Sequence, residues 1–232
     1  YYTHPAFTFG NDELRGIWIG KFELSSSNPE EKYGGGLGTS LSVRILPNVT
    51  NWKQNNLSNF FTVISNMQKT DNIYGLSTSR IDTDSHMITN MEWGAVAYLT
   101  NSLYGRCTNE SCTEVTPNNC ALSITGIAAD SETASEDSNF VCTSNDNKYN
   151  GIKGVLASTT GNITGVYDMS GGALEYVMAN TVCEEDVFGK YVFCTSDSGF
   201  SSNWYTSTAS YSNSKYLTKY APFDRNVVIQ AN

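Results

Sequence analysis

The sequence predicts an α+β fold, in which helices and strands occupy different parts of the chain. Two amphipathic helical patterns come early, one after Asn51 and one at Thr89, and short apolar runs among Ser, Thr, Asn and Gly make up much of the rest. With 232 residues, of which 39% are hydrophobic, the chain can bury one sizeable core. We therefore expect a single domain over residues 1–232, with two helices, a small twisted antiparallel sheet and long loops.

Three short apolar segments are predicted to form strands. Apolar and polar residues alternate from Ile17 to Leu24, which is the period of a strand with one buried face. A second run, from Leu41 to Leu46, is stopped by Pro47, because proline cannot donate to a strand ladder. The third run, residues 227–229, consists of Val, Val and Ile.

Large apolar residues predict the first helix. After Asn51 they recur three and four positions apart, which indicates an amphipathic helix of about four turns. These residues are Leu57, Phe60, Phe61, Ile64 and Met67.

A capping box predicts the second helix. Thr89 and Glu92 have the spacing at which a threonine hydroxyl bonds the amide of the third residue and the glutamate bonds back. We expect Gly105 to end this helix. Its buried stripe would consist of Trp93, Val96, Ala97 and Leu99.

A polar segment at about residues 106–160 is predicted to be an insertion. It is rich in Ser, Thr, Asn and Asp and shows little apolar periodicity. Carboxylates collect at residues 130–137 and 145–151, and clustered carboxylate oxygens are what Ca²⁺ prefers. The alternating acidic pattern of a calcium loop is missing, so solvated loops are favoured, and calcium binding is left open.

The cysteines predict disulfides. Their number is even, and the only histidines, His4 and His86, lie far from any cysteine in sequence, which argues against a zinc site. The six cysteines are Cys107, Cys112, Cys120, Cys142, Cys183 and Cys194. Many pairings remain open, as do reduced buried thiols and a metal site. Our preferred pairs are local: Cys107 with Cys112, Cys120 with Cys142, and Cys183 with Cys194.

Charge and hydropathy exclude some classes of function. The net charge is −9 and basic residues do not cluster, so a nucleic-acid surface is not expected. No run of apolar residues is long enough to span a membrane. A surface rich in uncharged polar residues is typical of exported proteins. Because no basic-then-apolar leader is present, we expect residue 1 to begin a mature or trimmed chain.

Residues 164–177, with the sequence TGVYDMSGGALEYV, form the most informative motif. Gly171 and Gly172 allow backbone angles that branched residues reject, which predicts a sharp turn or a close backbone approach. The motif resembles the G-(L/V)-Y-D-M-S-G-N-(V/A)-W-E-W-V signature of the formylglycine-generating-enzyme (sulfatase-modifying-factor) family. The residues that carry the resemblance are Asp168, Met169, Ser170, Gly171, Gly172 and Glu175.

Two other segments are similar to the same family and fall in the right order. Residues 4–9 followed by 16–23 look like its opening strand, and residues 89–98 look like its W-x-x-A-x-A-(Y/F) helix. The resemblance implies a C-type-lectin-like fold. It also implies that the first and last strands, residues 17–24 and 227–229, lie side by side.

The resemblance points to a non-catalytic branch of the family, the pilin-like, phage-encoded or retroelement-diversified surface proteins of Gram-positive gut bacteria. The family's enzymes carry Arg-Gly-Gly-Ser and a later Cys-x4-Cys pair that binds copper. Arg-Gly-Gly-Ser is missing here, and the Cys107–Cys112 spacing precedes the signature rather than following it. We therefore expect no catalytic residue, no cofactor and no metal. A formylglycine-generating oxidoreductase is the disfavoured alternative.

Ligand binding is predicted at residues 198–220, which consist almost wholly of Ser, Thr, Tyr and Asn. This is the composition of a paratope, and the family's variable proteins diversify such C-terminal loops. A plain polar loop remains the competing interpretation. The predicted binding residues are Trp204, Tyr205, Tyr211, Asn213, Tyr216 and Tyr220.

We expect an extracellular, cell-surface or virion protein that binds a protein or glycan ligand on another cell or surface and serves adhesion or receptor recognition. The alternative is a structural subunit that assembles into a pilus or virion and uses the fold as a scaffold. A binder would present Trp204 and the neighbouring tyrosines outward, whereas an assembly subunit would self-associate.

Overall fold

The computed structural model shows an α+β protein, as the sequence predicts, and divides the chain into two compact units. Unit 1 comprises Tyr1–Gly16, Asn56–Trp93 and Tyr176–Asn232, and unit 2 comprises Ile17–Asn55 and Gly94–Glu175. The structure describes residues 3–26, 42–49, 51–52, 57–118, 125–126, 145–173, 175–185, 191–193, 215–216 and 218–220. The prediction of a single domain with an insertion stays a prediction.

The described strands form three small sheets. The first is the hairpin of β1 (Thr8–Phe9) and β2 (Asp12–Glu13) in unit 1, and the second is the antiparallel pair of β3 (Leu24–Ser26) and β4 (Val43–Ile45) in unit 2. The third, in unit 1, consists of β5 (Ala179–Glu185), β6 (Tyr191–Phe193) and β7 (Thr218–Tyr220). Its strand order is β6-β5-β7.

The third sheet departs from the expected antiparallel arrangement. β6 pairs antiparallel with β5 after a short connection, but β7 pairs parallel with it, Ala179 opposite Thr218. Residues 194–217 separate β6 from β7, and a connection of that length allows the chain to return and run in the same direction as β5.

The predicted strand from Ile17 to Leu24 is wrong: regular structure begins only at Leu24, in β3. The exposure does alternate, with Ile17 and Ile19 half-buried and Trp18 fully exposed, but no described strand pairs with this segment. Instead, the amide of Tyr167 donates to the carbonyl of Lys21 at 2.9 Å. Residues 227–229, the expected partner strand, lie outside the described residues. The strand predicted near Leu41–Leu46 is present as β4.

Helix α1 (Leu57–Ser65) confirms the first predicted helix but is shorter than expected. It begins at Leu57 and runs into a 3-10 turn over Asn66–Gln68. Phe61 and Val63 are buried, and Phe61 packs with Met87 and Met178 to form the core of unit 1.

Helix α2 (Asn90–Leu99) has the predicted capping box. The amide of Glu92 donates to Thr89 Oγ1 at 3.3 Å, and the amide of Thr89 donates to Glu92 Oε2 at 2.8 Å. The helix ends at Leu99, earlier than the predicted Gly105, because Ser102 caps it by donating its amide and hydroxyl to the Leu99 carbonyl. Gly105 folds back over this end, where a Cβ would lie 1.8 Å from the Leu99 oxygen.

The stripe predicted for α2 is only partly correct. Val96 is buried, whereas Trp93, Ala97 and Leu99 are half-buried. Glu92 is buried instead, at 4% exposure, because its carboxylate is fully used in hydrogen bonds. At nine and ten residues, α1 and α2 are far shorter than a bilayer is thick, and no other helix in the described part of the chain could span one.

The motif at residues 164–177 supplies part of the core of unit 2. The ring of Tyr167 stacks on Phe22 at 5.0 Å and meets Tyr149 edge-on at 6.1 Å. Its hydroxyl donates to the Tyr149 carbonyl at 2.9 Å, and Ala157 completes the cluster. Part of the predicted insertion, residues 145–160, therefore contributes core residues and is not only a solvated loop.

Asp168, an acidic residue of the motif, is buried in unit 2 and held by several hydrogen bonds. It is 1% exposed and accepts from the Asn118 amide at 2.8 Å, from the Thr125 hydroxyl, and from the Glu23 backbone amide at 3.3 Å. Burial raises its pKa, against the lowering effect of these donors. Its φ of 66° is in the left-handed region, which aspartate tolerates better than most residues.

The predicted close approach at Gly171 and Gly172 is present. Both have positive φ, Gly171 forms a backbone bridge with Asn118, and the amide of Gly172 donates to the Asn118 carbonyl at 3.0 Å. A Cβ on Gly171 would lie 2.6 Å from the Asn118 carbonyl oxygen, and one on Gly172 would lie 2.9 Å from a carboxylate oxygen of Glu23. Met169 and Ser170 are half-buried, and Glu175 at the end of the motif is exposed.

The expected Cys107–Cys112 disulfide is present and closes a tight turn, in which the Thr108 amide donates to the Ser111 carbonyl at 2.7 Å. Cys120, Cys142 and Cys194 lie outside the described residues, so the other pairs stay predictions. Within the described ranges, no three acidic, His or Cys side chains gather as a metal site would require. The acidic run 130–137 lies outside those ranges.

Replacing Asp168 by Ala should lower the free energy of unfolding by about 3 kcal/mol, because the buried donors of Asn118 and Thr125 lose their acceptor. Asp168→Asn keeps one acceptor oxygen and should cost less. The measurement is urea unfolding. Asp71→Ala is the matched control, since Asp71 has a φ of 60° but is exposed. Equal losses at both positions would show that backbone strain, not the buried bonds, matters at Asp168.

The mass of the unreduced protein should be lower than that of the reduced chain by about six hydrogens, as three disulfides require. Native alkylation followed by mass spectrometry checks this. Modification of Cys107 and Cys112 without reductant would contradict the observed bond. Modification confined to the other four cysteines would overturn only the predicted pairs Cys120–Cys142 and Cys183–Cys194.

Candidate functional site

Two of the six predicted binding residues fall within the described residues. Tyr216 is described with its side chain, and Tyr220 lies in β7. Trp204, Tyr205, Tyr211 and Asn213 lie outside the described residues, so their role stays a prediction. The surroundings of Tyr216 therefore define the candidate site, which belongs to unit 1.

The ring of Tyr216 packs in an aromatic cluster. Its centroid lies 5.4 Å from Phe9, 5.7 Å from Phe61 and 5.4 Å from His86, mostly with edge-on or tilted geometry. Such pairs stabilise a tyrosine beyond the area that it buries. The ring also packs against the Phe61, Met87 and Met178 core. Tyr216 is therefore half-buried and anchored, not presented outward as the binding interpretation expects.

The hydroxyl of Tyr216 is equally fixed. It donates to Asp84 Oδ1 at 2.9 Å and accepts from the Arg80 guanidinium at 3.1 Å. Burial, and then the hydrogen bond to the Asp84 carboxylate, raise the pKa of Tyr216. The phenol therefore stays protonated and continues to donate at neutral pH.

Asp84 joins the charged members of the site. Its Oδ1 pairs with Arg80 at 2.6 Å, and its Oδ2 pairs with the ammonium of Lys215. Burial by itself raises the pKa of Asp84, but the hydrogen bonds from Lys215, Tyr216 and Arg80 outweigh it and hold the pKa below its ordinary value. Asp84 is 13% exposed, Lys215 34% and Arg80 49%, so the cations lie at the surface over a mostly buried carboxylate.

Lys215 also contacts aromatic faces. Its Nζ lies 4.3 Å from the Phe9 centroid and 5.3 Å from the Tyr216 centroid, both within cation–π range. Phe9 reaches this position because the β1–β2 hairpin turns at Gly10, which has a φ of 66°. One ammonium thus contacts two rings and a carboxylate.

His86 and Glu92 form a second, more buried ion pair beside the cluster. His86 Nε2 lies 3.0 Å from Glu92 Oε1, and Nδ1 lies 2.6 Å from the Asp84 carbonyl oxygen. With an acceptor at each nitrogen, both must donate, which is the protonated form. The imidazole ring stacks on Phe9 at 4.6 Å.

The electrostatics agree with this geometry. Burial by itself lowers the pKa of His86, but the hydrogen bond and charge of Glu92 outweigh it and raise the pKa. Burial raises the pKa of Glu92, but His86 and the capping bonds of Thr89 outweigh it and lower the pKa. The pair therefore stays charged near neutral pH and ties the start of α2 to the aromatic cluster.

Sequence reasoning found Tyr216 but missed most of its partners. Arg80 and Asp84 carry no motif, and His86 is considered in the sequence only as a metal ligand. Phe9 lies in the segment that resembles the family's opening strand, which does not indicate its contact with Tyr216. Lys215 lies inside the polar stretch and was not selected. Its position beside Tyr216 is a signal, because a cation next to an anchored aromatic residue is a common recognition pair.

The stability of unit 1 should be greatest at mildly acidic pH. The His86 contribution is complete below the ordinary pKa of 6.5 and is lost as the pH rises through the raised pKa. The Glu92 contribution is complete above the ordinary 4.5 and is lost as the pH falls through the lowered pKa. Both are complete between these values, and urea unfolding across pH 4 to 9 should show a maximum there.

His86→Gln should remove the decline on the alkaline side, and His4→Gln should leave it intact, because His4 is exposed and only caps a short 3-10 turn. An unchanged alkaline decline in His86→Gln would show that another group causes it.

No protein-family model matches the chain, and neither a curated protein nor a solved structure is significantly similar to it.

Proposed function

We propose that the protein is an extracellular or surface-displayed ligand-binding domain that recognises a protein or glycan on another cell or surface, as adhesion and receptor-recognition domains do. The observation that carries this proposal is the anchoring of Tyr216, whose ring and hydroxyl are both held while Arg80 and Lys215 remain accessible beside it. The binding residues are those of the Tyr-rich stretch 200–220.

The composition of that stretch supports binding. Tyrosine offers a large contact area with few rotatable bonds, and Ser, Thr and Asn adapt their hydrogen bonds to a partner. Residues 215–216 lie near the end of this polar stretch and are held by the contacts of Lys215 and Tyr216. Ordering a segment that is already anchored near one end costs less free energy on binding. The proposed site therefore combines aromatic anchors with an immobilised flank.

The fold that we propose is C-type-lectin-like, of the formylglycine-generating-enzyme type and its non-catalytic branch. Two features support it. Asp168, Gly171 and Gly172 of the signature hold the core of unit 2 together, which is a structural rather than catalytic role. Helix α2, with its Thr89–Glu92 capping box, overlaps residues 89–98, the segment that resembles the family's helix. A variable protein diversified by a retroelement, of bacterial or phage origin, is the form that fits the Tyr-rich stretch.

An extracellular location is supported by the Cys107–Cys112 disulfide, since such bonds persist in oxidising compartments. The same bond bears on the alternative of a formylglycine-generating oxidoreductase. Copper binding in that family uses two free thiolates, whereas Cys107 and Cys112 are bonded to each other. We therefore propose a function without catalysis.

A structural subunit of a pilus or virion is the second candidate, and one observation favours it. Three exposed large side chains are close to one another in sequence near the end of α2: Tyr98 is 70% exposed, Leu103 66% and Tyr104 88%. Exposed apolar patches often mark protein interfaces. Sedimentation at increasing concentration separates the candidates, because an assembly subunit self-associates and a monomeric binder does not.

Replacing Trp204 and Tyr205 by Ala should abolish adhesion, because aromatic anchors in such stretches each contribute about 2 kcal/mol or more to binding. The melting temperature should stay nearly unchanged. The measurement is binding to cells and to a glycan array, with thermal unfolding alongside. Tyr104→Ala is the matched control, since it removes an exposed tyrosine outside the stretch.

Loss of adhesion in Tyr104→Ala, with Trp204→Ala and Tyr205→Ala unaffected, would place the interface at the end of α2 and favour the assembly subunit. Unfolding of Trp204→Ala would assign this stretch to the core.

A further inference from the structure

A lysine of the chain itself occupies a site that suits an organic cation. Phe9, Asp84 and Tyr216 surround the Lys215 ammonium, and we call these three residues the ammonium box. The nitrogen lies 4.3 Å from the Phe9 centroid and 5.3 Å from the Tyr216 centroid, and it pairs with Asp84 Oδ2. Aromatic faces and a carboxylate around one ammonium are the features by which proteins recognise alkylammonium ligands.

The walls of the box are held by groups other than Lys215. Asp84 Oδ1 accepts from Arg80 at 2.6 Å and from the Tyr216 hydroxyl at 2.9 Å, which leaves Oδ2 directed at the ammonium. Phe9 is 8% exposed and stacks on His86 at 4.6 Å. Because these contacts do not depend on Lys215, the walls would keep their arrangement if Lys215 withdrew. A binding site whose walls are already in place loses less affinity to reorganisation.

The box accepts a linear alkyl stem as well as a charge. The stem of Lys215 passes Gly10, where the position of a Cβ would lie 3.5 Å from Lys215 Cδ and 3.7 Å from its Cβ. At these distances even a Cβ would make ordinary van der Waals contact, so methylene groups fit along the β1–β2 turn. Lys215 itself is 34% exposed and belongs to the stretch proposed to bind the ligand.

We propose that the ammonium box binds a lysine side chain of a protein partner, and that Lys215 closes the box in the free protein and is displaced on binding. The observed stem favours a lysine over an amino sugar, whose ammonium is attached to a rigid ring. The net charge of −9 attracts basic partners over longer distances. This inference rests on the proposed function and names the partner class for the same surface.

The test uses n-butylammonium as the probe, with n-butanol as its uncharged isostere and glucosamine as the amino sugar. Ring-proton NMR of the full chain follows Phe9 and Tyr216, with Tyr167 of unit 2 as the internal reference. In Lys215→Ala the box is open, so n-butylammonium should bind at least about tenfold more tightly than in the wild type, where Lys215 competes. The double variant Asp84→Asn/Lys215→Ala should lose this gain, and n-butanol should produce no saturable shift.

Three outcomes would overturn the proposal. Lys215→Ala could respond to n-butanol as it does to n-butylammonium, which would reduce the site to an apolar surface. It could show no saturable shift at all. Glucosamine could bind as tightly as n-butylammonium, which would contradict the lysine assignment. If Lys215→Ala does not fold, the wild-type titration decides, and the lack of a saturable shift of the Phe9 and Tyr216 rings overturns the proposal.

The probe experiment needs no natural partner, so its failure is separate from failure of the proposed function. Adhesion that depends on Trp204 and Tyr205 but shows no amine binding would retain the binding function and reject only the lysine ligand. Amine binding without such adhesion would retain the ammonium-binding site and reject the proposed adhesion function.

Discussion

A carboxylate leaves water in a folded protein only where several donors hold it, and each unit of this protein is organised around one such group. In unit 2 the group is Asp168, which joins segments around Asn118, Thr125 and Glu23. In unit 1 it is Asp84, which joins residues 80–86 to residues 215–216. Each of these carboxylates thus joins segments that are distant in sequence, alongside aromatic contacts such as that of Tyr167 with Phe22.

The donors of the two carboxylates differ, and so does what each can do. Asp168 is held by an amide, a hydroxyl and a backbone N–H, all neutral, and burial raises its pKa. A buried carboxylate with neutral donors stabilises the core by joining the segments that supply those donors. Asp84 is held by two cations and a phenol that keep its pKa low, and those cations reach the surface. The charge of Asp84 therefore remains close to solvent, which is why the surface of unit 1 is the better candidate for recognition.

The sequence predicted what local hydrogen bonding and spacing decide. The Thr89–Glu92 capping box involves residues three positions apart, and helix α2 begins where it predicts. The apolar spacing around Phe60 and Phe61 predicted α1, although not its length, because the 3-10 turn over Asn66–Gln68 shortens the regular helix. Gly171 and Gly172 predicted a close backbone approach without identifying Asn118 as the residue that approaches.

By itself, then, the sequence determined the α+β class, the start of α2 and the tight glycine turn, and it favoured the local Cys107–Cys112 bond without excluding other pairings. Only the tertiary structure decided that Ile17–Leu24 would not pair as a strand, that β7 would run parallel to β5, and that Phe9 would meet Lys215. The physical reason is that the alternation and spacing of apolar residues indicate only which side chains prefer burial. A strand also needs a partner at its edge, and a cation needs a ring at its side, and both come from parts of the chain that no local pattern connects.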